Sequence, residues 1–252
     1  MVLTGGDHLL LVAAGLGAGV VNGAAGGGTL LSFPALLAVG YPAVTANVTS
    51  TVGIWSGYLG GVAGFQREAR SQGRRLRALA PSTLAGSAGG GVLLLTTPSH
   101  AFATLAPYLV LVSCLLFAGQ PVVARRLRSG GTASRRHRVA LHLGTFAASV
   151  YGAYFGAGLG IVLLAVLATS LPDSLTRING LRSVLALLVN TVAVVVFVLG
   201  AHVAWAAAGI LAATAVVGGF VGARVARRLP PVVLRVLVVA IGLATAIGLL
   251  VR

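Results

Sequence analysis

The sequence predicts an all-α polytopic membrane protein of two inverted four-element repeats, each with a glycine-broken first element and three further transmembrane helices. Three observations carry this. First, apolar runs of about 20 residues or more, enough to cross hydrocarbon, recur along the chain. The 252 residues are 57% hydrophobic and only 8% charged, with a mean hydropathy of +0.99. Second, the chain aligns with itself, without a gap, at an offset of 132 residues. Third, its cations lie in the connectors between the runs. A β-barrel would instead show short alternating segments, and none occur.

The first element spans 9–40 and contains "VNGAAGGGTLLSFPALLAVG". Gly26, Gly27 and Gly28 interrupt it, Asn22 precedes them and Pro34 follows. Glycine at the centre of a helix costs stability and is suited to a break. Apolar runs near 46–65, 78–96 and 102–124 complete the first half. The second half carries 139–171, 179–199, 203–223 and 232–251. Pro42, "TTPSH", "SLPDS", Gly200 to His202 and "RRLPP" separate the runs with residues that end helices.

At the 132 offset Gly26 falls on Gly158, Gly28 on Gly160, Asn47 on Asn179 and Pro98 on Pro230. Paired Asn and Pro in the same order speak for duplication over chance among 36 glycines. The expected divisions are 1–124, a basic cytoplasmic linker at 125–138, and 139–252.

The formal net charge is +15, with 18 Arg, no Lys and three acids. In a soluble protein this would suggest nucleic acid. Arginine confined to short connectors instead points to cytoplasmic loops facing anionic lipid, with no nucleic-acid partner. If all eight runs cross once, the loop arginines split eleven against six. If the broken runs enter and leave on the same side, all of these arginines become cytoplasmic. Each half then has three crossings and one re-entrant hairpin, and the second half is inverted. This places both termini outside and 66–77 inside. "MVLTGGDH" has no basic residue, so no cleavable signal is expected there. The single Cys114 excludes an intrachain disulfide and a Cys-based metal site.

Backbone that leaves helical geometry at membrane depth must be surrounded by protein or water. Its free N–H groups can point at an anion. That makes Gly26, Gly27, Gly28, Gly156, Gly158 and Gly160 candidate site residues; the plainer alternative is close helix packing through small residues.

"GLGAGVVNGAAGGGTLLSFPALLAVGYPAVTANVTST" resembles the first signature of the sulfite exporter TauE/SafE family. "YGAYFGAGLGIVLLAVL" with "RINGLRSVLALLVN" resembles the second, and "GGFVGARVARRLPPVVLRVLV" is similar to the family's end. The resemblance covers nearly the whole chain. It implies a membrane carrier for a small anion, often sulfite or an organosulfonate, driven by an ion gradient. It carries over to Gly26–Gly28, Asn47–Thr51, Gly156–Gly160 and Asn179–Ser183.

Asn47, Thr49, Ser50 and Thr51 are read as opening one helix, and Asn179, Arg182 and Ser183 as opening its counterpart. Helix N-termini suit oxyanions, although N-capping alone would need one polar residue. Arg182 could fork onto a sulfonate or anchor at lipid phosphate. Asn22 and Asn190 line a site or bond helices together. Trp55 and Tyr58 read as core packing before pathway lining.

No carboxylate falls inside an apolar run. Coupling to protons or another ion therefore rests on the substrate's own protons, as sulfite's second pKa near neutrality permits, or is weak. The expected function is a secondary transporter of the inner membrane for a small anion. It calls for no cofactor or metal, and a homo-oligomer is compatible with the sequence. An anion channel and a non-transporting membrane scaffold are the alternatives. An enzyme is not expected, for want of paired carboxylates or HExxH at depth.

Overall fold

A computed structural model describes residues 3–24, 26–126, 135–225 and 231–251. Twelve helices make up the described chain, which contains no strand. The first half holds α1 (Gly5–Ala24), α2 (Thr29–Val39), α3 (Ala43–Ile54), α4 (Gly57–Gly64), α5 (Gln66–Arg70), α6 (Gly73–Thr96) and α7 (Ser99–Arg126). The second holds α8 (Arg135–Tyr154), α9 (Leu159–Ser170), α10 (Leu175–Gly200), α11 (Trp205–Val225) and α12 (Pro231–Leu250). Much of the expected linker, 127–134, lies outside the described residues, as do 226–230.

Both glycine-rich runs are broken. In the first, α1 ends before Gly26, whose N–H reaches back five residues to Val21 O at 2.9 Å. In the second, Gly156 N reaches Tyr151 O in the same way, at 3.3 Å. Gly26 (φ +73°), Gly156 (φ +81°) and Gly158 (φ +78°) occupy the left-handed region, which a Cβ disfavours. Gly26 and Gly158, which align at the 132 offset, share this conformation, whereas Gly156 aligns with Ala24, which is helical. In each half the two limbs of the broken run pack on one another.

Helix contacts repeat in the same exchanged pattern. α1 packs along α11, and α6 along α8. Glycines allow the closeness. A Cβ on Gly15 would meet Leu211 and Thr214, and one on Gly19 would meet Ala215 and Gly219, so α1 and α11 ascend together. Gly86 against Phe146 and Gly90 against Val150 give α6 and α8 the same parallel sense. α7 packs on α12.

Three described helices are long and apolar enough to cross a membrane, at 73–96, 99–120 and 175–200. Leucines and valines face outward along them and their neighbours; Leu115 and Leu143 are among the most exposed. In water such a surface would drive aggregation, and in a bilayer it meets lipid.

Two expectations need correction. Asn47 and Asn179 do not open their helices. Pro42 and Ser174 stand at the N-caps, Ser174 Oγ accepting from Arg177 N at 3.4 Å. Asn47 and Asn179 are therefore the fifth residues of α3 and α10, and Arg182 lies in the third turn. Only the first four N–H groups of a helix are unpaired, so the amides of Asn47–Thr51 and Asn179–Ser183 are not free for an anion. The run at 46–65 is also not one continuous helix: it breaks at Trp55–Ser56, between α3 and α4. There Trp55 Nε1 donates to Thr191 Oγ1 and Ser56 Oγ to Ala212 O, both at 2.9 Å.

Candidate functional site

The two breaks meet. Gly160 N donates to Gly26 O at 3.0 Å, across 134 residues of sequence. A Cβ on Gly26 would stand 2.9 Å from Gly160 Cα, so this backbone approach needs glycine.

Each tip has its own brace. At the first, Asn22 Oδ1 accepts from Gly28 N at 2.7 Å, and its Nδ2 donates to Ile54 O at 3.5 Å. At the second, the Tyr151 hydroxyl donates to Ala157 O at 2.6 Å, with Ser113 Oγ 2.8 Å from that hydroxyl. Phe33 packs edge-on against Phe155 of the second tip, centroids 5.4 Å apart.

Where the tips touch, a cavity is lined by Asn22, Gly26, Tyr58, Gly61, Gly160, Arg182, Ser183 and Ala186. Its water-accessible space is about 10 Å³, room for one water at most. Arg182 is 3% exposed and is the one charged side chain in the wall among the described residues. Ser183 Oγ donates to Asn179 O at 2.8 Å, which leaves its oxygen to accept. Tyr58 is 2% exposed, and its hydroxyl has no hydrogen-bond partner among the described residues. Asn190 lies beside it without a bond of ordinary geometry, its Nδ2 donating to Ala186 O at 2.9 Å. A buried hydroxyl without a partner is rare and costly. Beside a guanidinium, it is a donor set for an oxyanion.

Five of the sequence-derived candidates thus share the cavity: Asn22, Gly26, Gly160, Arg182 and Ser183. The others do not line it, although Asn190 lies beside Tyr58. Gly27 is packed so tightly that a Cβ would overlap the Phe117 ring. Thr49 Oγ1 accepts from Ala204 N, Ser50 Oγ pairs with Ser32 Oγ, and Thr51 Oγ1 donates to Asn47 O. Asn47 Nδ2 donates to Tyr154 O at 2.9 Å. Asn47, Thr49 and Ser50 thus tie α3 to its neighbours, while the Thr51 bond stays within α3. Arg182 falls on Ser50 at the repeat offset, so only one of the two equivalent positions carries charge.

Tyr58, which the sequence suggests is core packing, stands in the cavity wall. The usable signal was its partner at the offset, Asn190, another polar side chain in an apolar helix. Gly61 and Ala186 carried no signal beyond small size.

A second polar cluster sits where α9 leads into α10. The Asp173 carboxylate pairs with Arg75 and, at 3.4 Å, with Arg177; Gln72 Nε2 and Ser174 N also donate to it, at 3.3 and 2.8 Å. Burial by itself would raise the Asp173 pKa. The bonds from Arg75, Ser174 and Gln72 and the Arg177 charge outweigh it and hold the carboxyl below its ordinary value.

The sulfite exporter TauE/SafE profile matches residues 11–249, spanning both broken runs and the cavity. The chain belongs to this family. The chain is 26% identical over 219 residues to a "Probable membrane transporter protein" of Haemophilus influenzae, covering 85% of this chain and 83% of that one. It is also 26% identical over 215 residues to "Probable membrane transporter protein YfcA" of Escherichia coli K12, covering 84% and 76%. No solved structure matches. Membership of TauE/SafE makes this a membrane protein of a transporter family.

Proposed function

We propose that this protein is a secondary transporter carrying a small oxyanion, of the sulfite or organosulfonate kind, across the cytoplasmic membrane, with its site between the two repeats. The observation that carries the reading is the meeting of Gly26 and Gly160 beside one buried cavity that holds Arg182 and the Tyr58 hydroxyl, which has no partner among the described residues. Broken elements that meet near the midplane are a recurring plan of secondary transporters.

The inverted arrangement is part of the proposal. α1–α2 enters and leaves from outside, and α8–α9 from the cytoplasm. Its support is the parallel ascent of α1 with α11 and of α6 with α8. The Asp173 cluster adds to this, since it sets the exit of α9 beside the arginine-rich start of α6. Both segments then lie on the basic, cytoplasmic face. A cavity closed to anything larger than water suits a carrier between its open states, not an open pore.

Uptake of labelled sulfite and methanesulfonate into proteoliposomes tests the reading. Saturable flux with mutual competition is expected. Flux that rises without saturation would favour a channel, and no flux from correctly inserted protein would leave a scaffold.

A further inference from the structure

We infer that the cavity takes its oxyanion singly charged and, where the anion can be protonated, in its protonated form. The inference deepens the transport reading above and rests on it. Arg182 supplies one positive charge, and no other described lining residue is ionic. None of the chain's three carboxylates lines the cavity: Asp7 bonds Thr4, Asp173 sits in its own cluster, and Glu68 lies on α5 against Gly180. The histidines of the neighbouring helices are engaged elsewhere: His142 of α8 with Ser82, His8 of α1 with Thr4 O.

A dianion here would leave one negative charge uncompensated, and a buried uncompensated charge sheds its charge by taking up a proton. The hydrogen-bonding groups fit that proton. The Tyr58 hydroxyl is free to donate to a charged oxygen beside Arg182. Ser183 Oγ, its hydrogen given to Asn179 O, can only accept. An acid O–H on the anion meets that acceptor, whereas a bare oxyanion would face its lone pairs. Transport of the protonated monoanion carries one proton with each anion, so a proton can cross without a membrane-embedded carboxylate.

The test is flux of sulfite, methanesulfonate and sulfate into proteoliposomes from about pH 6 to about pH 8, with the apparent KM for total sulfite rising about tenfold per pH unit above sulfite's second pKa. Methanesulfonate, a monoanion throughout, should show no such rise and so controls for titration of the protein. Sulfate, a dianion throughout, should compete poorly with either. Ser183→Ala should lower the preference for sulfite over methanesulfonate about 2–10-fold, the size of one ordinary hydrogen bond. A pH-independent sulfite KM, or sulfate competing as well as methanesulfonate, overturns the charge-state inference and leaves the transporter reading standing. Absence of flux for all three anions from inserted protein overturns both.

Discussion

Alanine substitution at three glycines separates two costs that the tips impose. Gly158 has φ +78°, but a Cβ there would find its nearest neighbour, Leu116 Cδ1, at 3.6 Å, an ordinary contact. Gly158→Ala should therefore cost only the left-handed strain, about 1–2 kcal/mol. Gly26 has φ +73°, and its Cβ would also press on Gly160 Cα at 2.9 Å. Backbone cannot swing aside as a side chain can, so overpacking adds roughly 1–3 kcal/mol and the tips must part. Gly26→Ala should then cost about 2–5 kcal/mol and loosen the Gly160 N to Gly26 O bond. Gly89, an exposed position inside α6, has helical φ and nothing within 4 Å of an added Cβ. There alanine should gain about 0.5–1 kcal/mol. Thermal unfolding of the three detergent-solubilised variants gives the order directly. The severe variant should also lose transport while still inserting. Equal losses at Gly26 and Gly158, or a wild-type Gly26→Ala, would refute the claim that the tips are held by a backbone contact only glycine permits.

Three further outcomes are expected. Arg182→Gln should raise the apparent KM for anions on the order of 100-fold, since each charge-assisted hydrogen bond is worth about 1.5–3 kcal/mol. Arg182→Lys should fall between, Tyr58→Phe should cost about tenfold, and Arg177→Gln, at a half-exposed side chain, should be mild; transport titrations check all four. The Asp173 cluster should stabilise the protein above the ordinary carboxylate range and lose that contribution as pH falls through its lowered pKa, because protonation costs the folded state its ion pairs. Asp173→Asn should flatten that acid limb of a thermal-stability profile. In a Cys114→Ala background, Ser71→Cys should react with impermeant thiol reagents only from the cytoplasmic side and His100→Cys only from outside; the reverse would invert the proposed orientation.

The sequence alone determined the helical class, the family, the position of both breaks and the concentration of cations in a few connectors. These follow from hydropathy, spacing and composition, which the chain carries in one dimension. The left-handed backbone at Gly26, Gly156 and Gly158 was not legible there, because clustered glycines mark a break without fixing its φ. The membership of the cavity was decided only by tertiary structure. Thr49, Ser50, Thr51 and Ser183 look alike in sequence, since a serine or threonine in a buried helix can bond a neighbouring carbonyl or another helix equally well. Where α3 and α10 begin was hidden too, because Pro42 and Ser174 set the first turn a few residues before the polar clusters. Tyr58 reached the cavity because the chain breaks at Trp55–Ser56 and α4 packs where the two tips close. A hydroxyl becomes a candidate ligand group only once every neighbour that could satisfy it has been placed, and that is a property of packing in three dimensions.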